Sequence, residues 1–246
     1  MSKNFELLAQ AEQDRQLFEV TARGVLPSAA QYPAPKPREL AHQEIAKLAQ
    51  RVFLLSGNGT TPRAVVFCGI EHGCGTSWIC AQVARAVAAQ GTKTVCAVDA
   101  NLRSPALHIQ LRVPNRCGLA DAVRRAGPIR NFLEPVPGGN LWVLPVGLDA
   151  GPGLLLASDH FGERVAELRA DFDYVIFDAP PAADSGDAAL LGRLVDGVVV
   201  VVGAHSTRRE TARKAKESLD AAHVRLLGTV LNNRTFPIPE ALYRRL

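Results

Sequence analysis

The sequence predicts a doubly wound α/β domain with a mostly parallel sheet, helices on both faces and an N-terminal extension. Three observations predict it. Apolar runs recur at 64–69, 93–98, 141–146, 173–178, 197–203 and 225–231, rich in valine and hardly alternating with polar residues. Strands buried on both faces, as in a parallel sheet, read this way, whereas half-exposed strands alternate. Between the runs, segments 77–90, 158–170, 186–194 and 207–222 are long enough for crossover helices. The third observation is a glycine loop, Gly73-Cys74-Gly75-Thr76-Ser77, between the first run and the first of these helices.

Taken in order, residues 1–37 form the extension. Phe5, Leu7, Leu8, Leu17, Phe18 and Val20 lie among charges, which suits a short amphipathic segment too poor in apolar residues to build its own core. Pro27, Pro33, Pro35 and Pro37 then mark an extended linker. The domain proper runs over 38–246. It begins with a helical pattern that puts Leu40, Ile45, Leu48, Val52 and Phe53 roughly on one face and stops at Gly57-Asn58-Gly59. The alternation of strand and helix follows from Ala64.

Composition narrows the function classes. The 246 residues are 47% apolar, enough for a well-buried core. Residues 205–246 carry nine Lys/Arg against four Asp/Glu, part of a whole-chain charge of +4, so a basic end could meet an anionic partner or form a solvated helix face. Cys68, Cys74, Cys80, Cys96 and Cys117 are odd in number and show no zinc spacing, as expected of reduced thiols in the cytoplasm. Cys74 stands apart, since a thiol near a helix N-terminus can be activated. No apolar stretch is long enough to span a membrane, and residues 1–6 lack a signal-peptide pattern, so a cytoplasmic protein is expected.

The chemistry-bearing motifs fall at strand ends. Glycines in Gly73–Ser77 free backbone N–H groups for phosphate, and the helix that follows adds its dipole. The usual pattern places lysine before the Ser/Thr, and here that position is Thr76. The second run ends at Asp99, within Asp99-Ala100-Asn101-Leu102-Arg103-Ser104-Pro105, and a carboxylate there faces the ligand edge of such sheets. Asp99 could hold Mg²⁺ through water, and Arg103 could offset phosphate charge. Asp178, in Asp178-Ala179-Pro180-Pro181, could complete a metal shell with the Ser77 hydroxyl. Asn232 follows the last strand and could hydrogen-bond an adenine. Taken singly, each aspartate could equally cap the turn after its strand.

These motifs, with Leu194-Val195-Asp196-Gly197, Thr207-Arg208-Arg209 and Gly228–Asn232, resemble the bacterial tyrosine kinases of capsule and exopolysaccharide synthesis, in the MinD/ParA-like branch of P-loop proteins. The resemblance covers roughly residues 38–246. It implies ATP and Mg²⁺ as cofactors, with Gly73, Cys74, Gly75, Thr76 and Ser77 around the phosphates. It assigns Ser77 and Asp99 to Mg²⁺, Asp178 to the metal or base role, and Asn232 to the adenine, with Asp99 and Asp178 as the catalytic pair. The implied partners are a membrane-embedded chain-length or export protein and further copies of the chain. Nucleic acid is not an expected partner.

Departures from the family pattern point to impaired catalysis. Thr76 replaces the loop lysine, Asn101 replaces a second aspartate, Ala179 stands where threonine is common, and Glu71 holds the place of the MinD-type signature lysine. Arg63, Lys93 and Arg103 are the candidate substitute cations. The helix that mediates ring assembly in these kinases is matched only in part, by Glu44, Lys47 and Gln50. Tyr243, alone among basic residues near the C-terminus, does not match the usual tyrosine cluster. The expected function is a kinase-like interaction subunit of polysaccharide synthesis. The alternatives are an active autokinase or ATPase, and a positioning protein acting on DNA or membrane.

Overall fold

The computed structural model describes residues 37–54, 61–148 and 155–234. Two compact units divide the chain, Met1–Leu40 and Ala41–Leu246, and only residues 37–40 of the first are described. The expected segment at 3–20, the prolines at 27, 33 and 35, the stop at Gly57–Gly59 and Tyr243 lie outside the described residues.

The elements run α1 (Pro37–Phe53), β1 (Ala64–Gly69), α2 (Thr76–Ala88), β2 (Val95–Asp99), α3 (Leu107–Leu111), α4 (Leu119–Arg124), β3 (Glu134–Pro135), β4 (Leu141–Leu144), α5 (Asp159–Asp171), β5 (Tyr174–Ala179), α6 (Asp187–Gly192), β6 (Gly197–Gly203), α7 (Arg209–Ala221) and β7 (Leu226–Asn232). Pro37, read from sequence as the last linker proline, instead opens α1, where its missing N–H would have had no helical partner. The strand order is β3-β4-β2-β5-β1-β6-β7. All neighbours pair in parallel except β3 with β4.

The valine runs are strands because both their faces are covered. Along β1, Ala64, Val66 and Cys68 pack into one cluster with Phe161, Val165 and Leu168 of α5 and Leu191 of α6. Val65 and Phe67 point the other way, into a cluster with Ile79, Val83 and Val87 of α2 and Phe53 of α1. The period of two survives as a choice between two cores, which is why polarity does not alternate.

The N-terminal edge of the sheet is fastened by carboxylates. Asp196 Oδ2 accepts the Arg63 and Ala64 N–H groups at 2.7 and 2.8 Å, and its Oδ1 accepts Arg169 at 2.7 Å. Asp173 accepts from Lys93 at 3.1 Å and from the Thr94 N–H at 2.9 Å. The Arg63 guanidinium donates to the carbonyls of Arg169, Phe172 and Asp173, which closes the C-terminal end of α5. These contacts leave the opposite, C-terminal edge for the site.

Candidate functional site

A cleft of about 250 Å³ opens at the ends of β1, β2 and β5. Its floor is the loop between β1 and α2. Gly73 and Gly75 both take φ of +81°, a left-handed conformation that favours glycine. With Gly75 as the N-cap of α2, the first N–H with a helical acceptor is that of Ile79, bonded to the Gly75 carbonyl at 3.0 Å. The N–H groups of the preceding turn therefore suit an anion at the positive end of a 13-residue helix.

Two distant groups hold the loop. The Asn232 amide, at the end of β7, donates to the Cys74 carbonyl at 2.8 Å. A Cβ on Gly75 would collide with that same amide. Cys74 Sγ is buried and lies 3.7 Å from the Thr207 hydroxyl, which also accepts the Gly203 N–H at 3.1 Å. All five cysteines are free thiols, and burial pushes Cys68 up to about 12, with the Asp178 charge adding to it.

Asp178 and Asp99 occupy register-matched positions on β5 and β2, both fully buried, yet they differ in surroundings. Asp99 Oδ1 accepts the Asn101 N–H at 3.3 Å, while Oδ2 accepts those of Ala106 and Leu107 at 3.1 and 3.0 Å. Its carboxylate thus caps the turn into α3, and Asp99 is not among the residues that line the cleft. Burial nevertheless raises it to about 7, with the three backbone donors pulling the other way. Asp178 does line the cleft, and neither of its oxygens has a hydrogen-bond partner among the described residues. Burial pushes its pKa well up, and the Asp99 charge adds to the rise. The nearby Ser77 hydroxyl favours ionisation without completing a hydrogen bond. A bare buried carboxylate beside a hydroxyl and a loop of free N–H groups fits a divalent cation shared with phosphate.

The cations anticipated from sequence do not converge here. Arg63 and Lys93 belong to the clamps at the far edge of the sheet. Arg103 is exposed and does not line the cleft. No lysine or arginine is among the described lining residues. His72 lies at the mouth, with Nε2 3.1 Å from Asp184 of the loop after β5. That loop is itself tied back, Ala182 and Ala183 donating to the carbonyls of Gly69 and Ile70. Sequence reasoning passed over Trp78, which is 39% exposed directly after Ser77. Its signal was an aromatic residue in the first turn of the loop helix, where no core position requires one.

Comparison with known proteins decides the family. The chain is 35% identical over 173 residues to the tyrosine-protein kinase YwqD of Bacillus subtilis (strain 168), a match covering 70% of this chain and 73% of that protein. The chain belongs to the bacterial tyrosine-protein kinase family. The putative tyrosine-protein kinase CapB of Staphylococcus aureus is 26% identical over 202 residues, 82% of this chain and 88% of that protein. The tyrosine-protein kinase wzc of Salmonella typhi is 30% identical over 201 residues, 80% of this chain but 27% of that longer protein. Among solved structures, the chimerical protein CapA2B2 superposes with a TM-score of 0.73 at 25% identity, covering 84% of this chain and 88% of the other. Two further likenesses show the fold alone. The MinC:MinD cell division complex of Aquifex aeolicus matches at TM-score 0.59 and 22% identity, over 74% and 72% of the two chains. Cobyrinic acid a,c-diamide synthase of Mycobacterium smegmatis, solved with an ATP analog and magnesium, matches at 0.59 and 20%, over 69% and 72%. No family model matches the chain. Among the described residues no helix is long and apolar enough to cross a membrane.

Proposed function

We propose that this family member is a nucleotide-binding, kinase-like subunit of exopolysaccharide or capsule synthesis, impaired in phosphoryl transfer and acting mainly through interaction. One observation carries the reading: no lysine or arginine is among the described residues lining the phosphate cleft. Phosphoryl transfer rests on positive charge over the β- and γ-oxygens, so its loss removes more from catalysis than from binding.

The residues that would hold ATP and Mg²⁺ follow from the cleft. Backbone N–H groups of the Gly73–Trp78 turn would receive phosphate oxygens. Ser77 and Asp178 would take the cation, with Asp99 behind them fixing the turn over Asn101–Leu107. Bound Mg²⁺ supplies charge neutralisation at the phosphates. Asn232 shapes the loop through Cys74. The partner would be a membrane-embedded chain-length or export protein. Support comes from wzc, whose length extends far beyond the matched 27%, and from the CapA2B2 chimera. The chain would work in the cytoplasm, reaching the inner membrane face through that partner, and copies of it would assemble with one another.

The second reading, an active autokinase, is favoured by the bare carboxylate of Asp178 beside Ser77. A positioning role on DNA or membrane has less support, because Arg213 and Lys216 on the basic helix α7 are paired with Glu217 and Asp220.

Calorimetric titration of ATP and ADP, with and without Mg²⁺, into wild type and Thr76→Lys tests the proposal, alongside an autophosphorylation assay. A restored charge-assisted contact should tighten ATP roughly ten- to a hundred-fold. Wild type should show no phosphotransfer. Robust Mg²⁺-dependent autophosphorylation by wild type would overturn the impaired reading in favour of the autokinase.

A further inference from the structure

A second cavity of about 370 Å³ lies between α1, the start of α2 and the end of β7. Among the described residues, Trp78 alone lines both this cavity and the phosphate cleft. The second cavity has an apolar wall from Ile45 and Leu48 of α1, while Arg51 and the Asn232 amide contribute polar edges. A flat ring that is apolar on its faces and polar on its rim fits such a lining.

The geometry points to Trp78 as the stacking platform for a nucleotide base, which makes the base the principal anchor and the terminal phosphate a minor one. This rests on the nucleotide-binding reading above. The steps are physical. A Trp side chain carries a large apolar face, and leaving 39% of it exposed costs hydrophobic free energy unless something covers it. Trp78 sits one residue beyond Ser77, so a ligand whose phosphates meet the loop amides has its other end within reach of the indole. On the phosphate side Glu71 lines the cleft and, among the described residues, no lysine or arginine does, so each added phosphate brings charge with little return. Aromatic stacking involves no ionised group and survives the loss of the cation. The site then discriminates nucleotides from inorganic phosphates, and discriminates poorly between di- and triphosphates.

The chain has two tryptophans, and Trp142 lies on β4, so Trp142→Phe leaves Trp78 as the sole indole reporter. ATP, ADP, adenosine and inorganic triphosphate are titrated into that variant by fluorescence and into the wild-type protein by calorimetry. ATP and ADP should bind within about three-fold of each other, both nucleotides and adenosine should quench Trp78, and triphosphate alone should bind at least ten-fold more weakly. Trp78→Ala should weaken ADP roughly ten- to a hundred-fold, and Trp78→Phe should restore most of the loss. Unchanged ADP affinity in Trp78→Ala, or triphosphate binding as tightly as ATP, overturns the stacking role while the nucleotide reading stands. No nucleotide binding by wild type overturns both.

Discussion

Asp178 stands level with Asp99 on the neighbouring strand, and the two carboxylates divide the work of the site unequally. Asp99 receives three backbone N–H groups and organises the chain that follows it, whereas Asp178 receives none from the described residues. Burying a carboxyl group without partners is costly, whether it stays charged or takes up a proton to avoid it, and proteins keep such groups where a ligand completes them. The asymmetry separates a scaffold residue from a cleft-facing one.

Asp178→Asn should therefore raise the stability of the metal-free protein at pH 8, by roughly 1–3 kcal/mol, because it keeps the shape and removes a group that must either bury its charge or take up a proton on folding. In thermal melts that corresponds to a rise of a few degrees for a domain of this size. Millimolar Mg²⁺ added on top of ADP should raise the melting temperature of wild type further and add nothing to that of the variant, which keeps only the metal-independent binding of the nucleotide. A variant that melts lower than wild type at pH 8 would show that the carboxylate is already compensated.

The same carboxylates set the pH dependence. A raised folded-state pKa means that the native protein holds the proton more tightly than the unfolded chain does. The resulting stability is fully present below the ordinary carboxyl value and is lost as pH rises through about 7 for Asp99. The metal-free protein should thus melt progressively lower from pH 5 to pH 8. Mg²⁺ affinity should strengthen over the same interval, since the cation displaces protons. Flat melting temperatures across this interval would contradict the burial of the pair.

Much of this fold is legible in the sequence because a sheet covered on both faces writes itself as uninterrupted valine. The six runs become β1, β2, β4, β5, β6 and β7, with ends displaced by a few residues. The seventh strand, β3, is two residues long, antiparallel and contains Pro135, so no pattern marks it. Helices α3 and α4 span five and six residues, too short for periodicity. They are held by remote acceptors, Asp99 for the Leu107 N–H and the Pro145 carbonyl for that of Leu119. Asp99 illustrates the limit at the site. Its place at a strand end could be read, but the curl of residues 101–107 that consumes its oxygens could not. Trp78 escaped notice because it lies one position past the motif.

Asp196 supplies a stability test away from the cleft. Burial alone would raise its pKa, but the Ala64 N–H, Arg169 and the Arg63 N–H together hold it below the ordinary value. This contribution is present above the unfolded pKa and is lost as pH falls through the lower folded one, so it fails only in acid, below about pH 4. Asp196→Ala should cost roughly 1–3 kcal/mol at pH 7, read from urea unfolding, by leaving two strand-entry N–H groups without their acceptor. Nucleotide affinity should stay unchanged, since the clamp lies at the opposite edge of the sheet.

Gly75 and Asn232 should prove energetically coupled. Gly75→Ala places a Cβ against the Asn232 amide and also asks alanine to hold φ of +81°. The conformational part costs roughly 1–2 kcal/mol whatever the neighbour. The collision adds to it only while the amide is there. Asn232→Ala removes the hydrogen bond to Cys74 and should cost roughly 0.5–1.5 kcal/mol. In the double variant the collision is gone and the strain remains, so its loss should fall short of the summed single losses by about 1 kcal/mol. Urea unfolding of the four proteins closes the cycle, and amide exchange at Cys74–Ser77 should quicken in every variant. Strict additivity would mean that the amide yields freely to the new methyl. It would then be no rigid prop for the loop, and β7 would be uncoupled from the cleft.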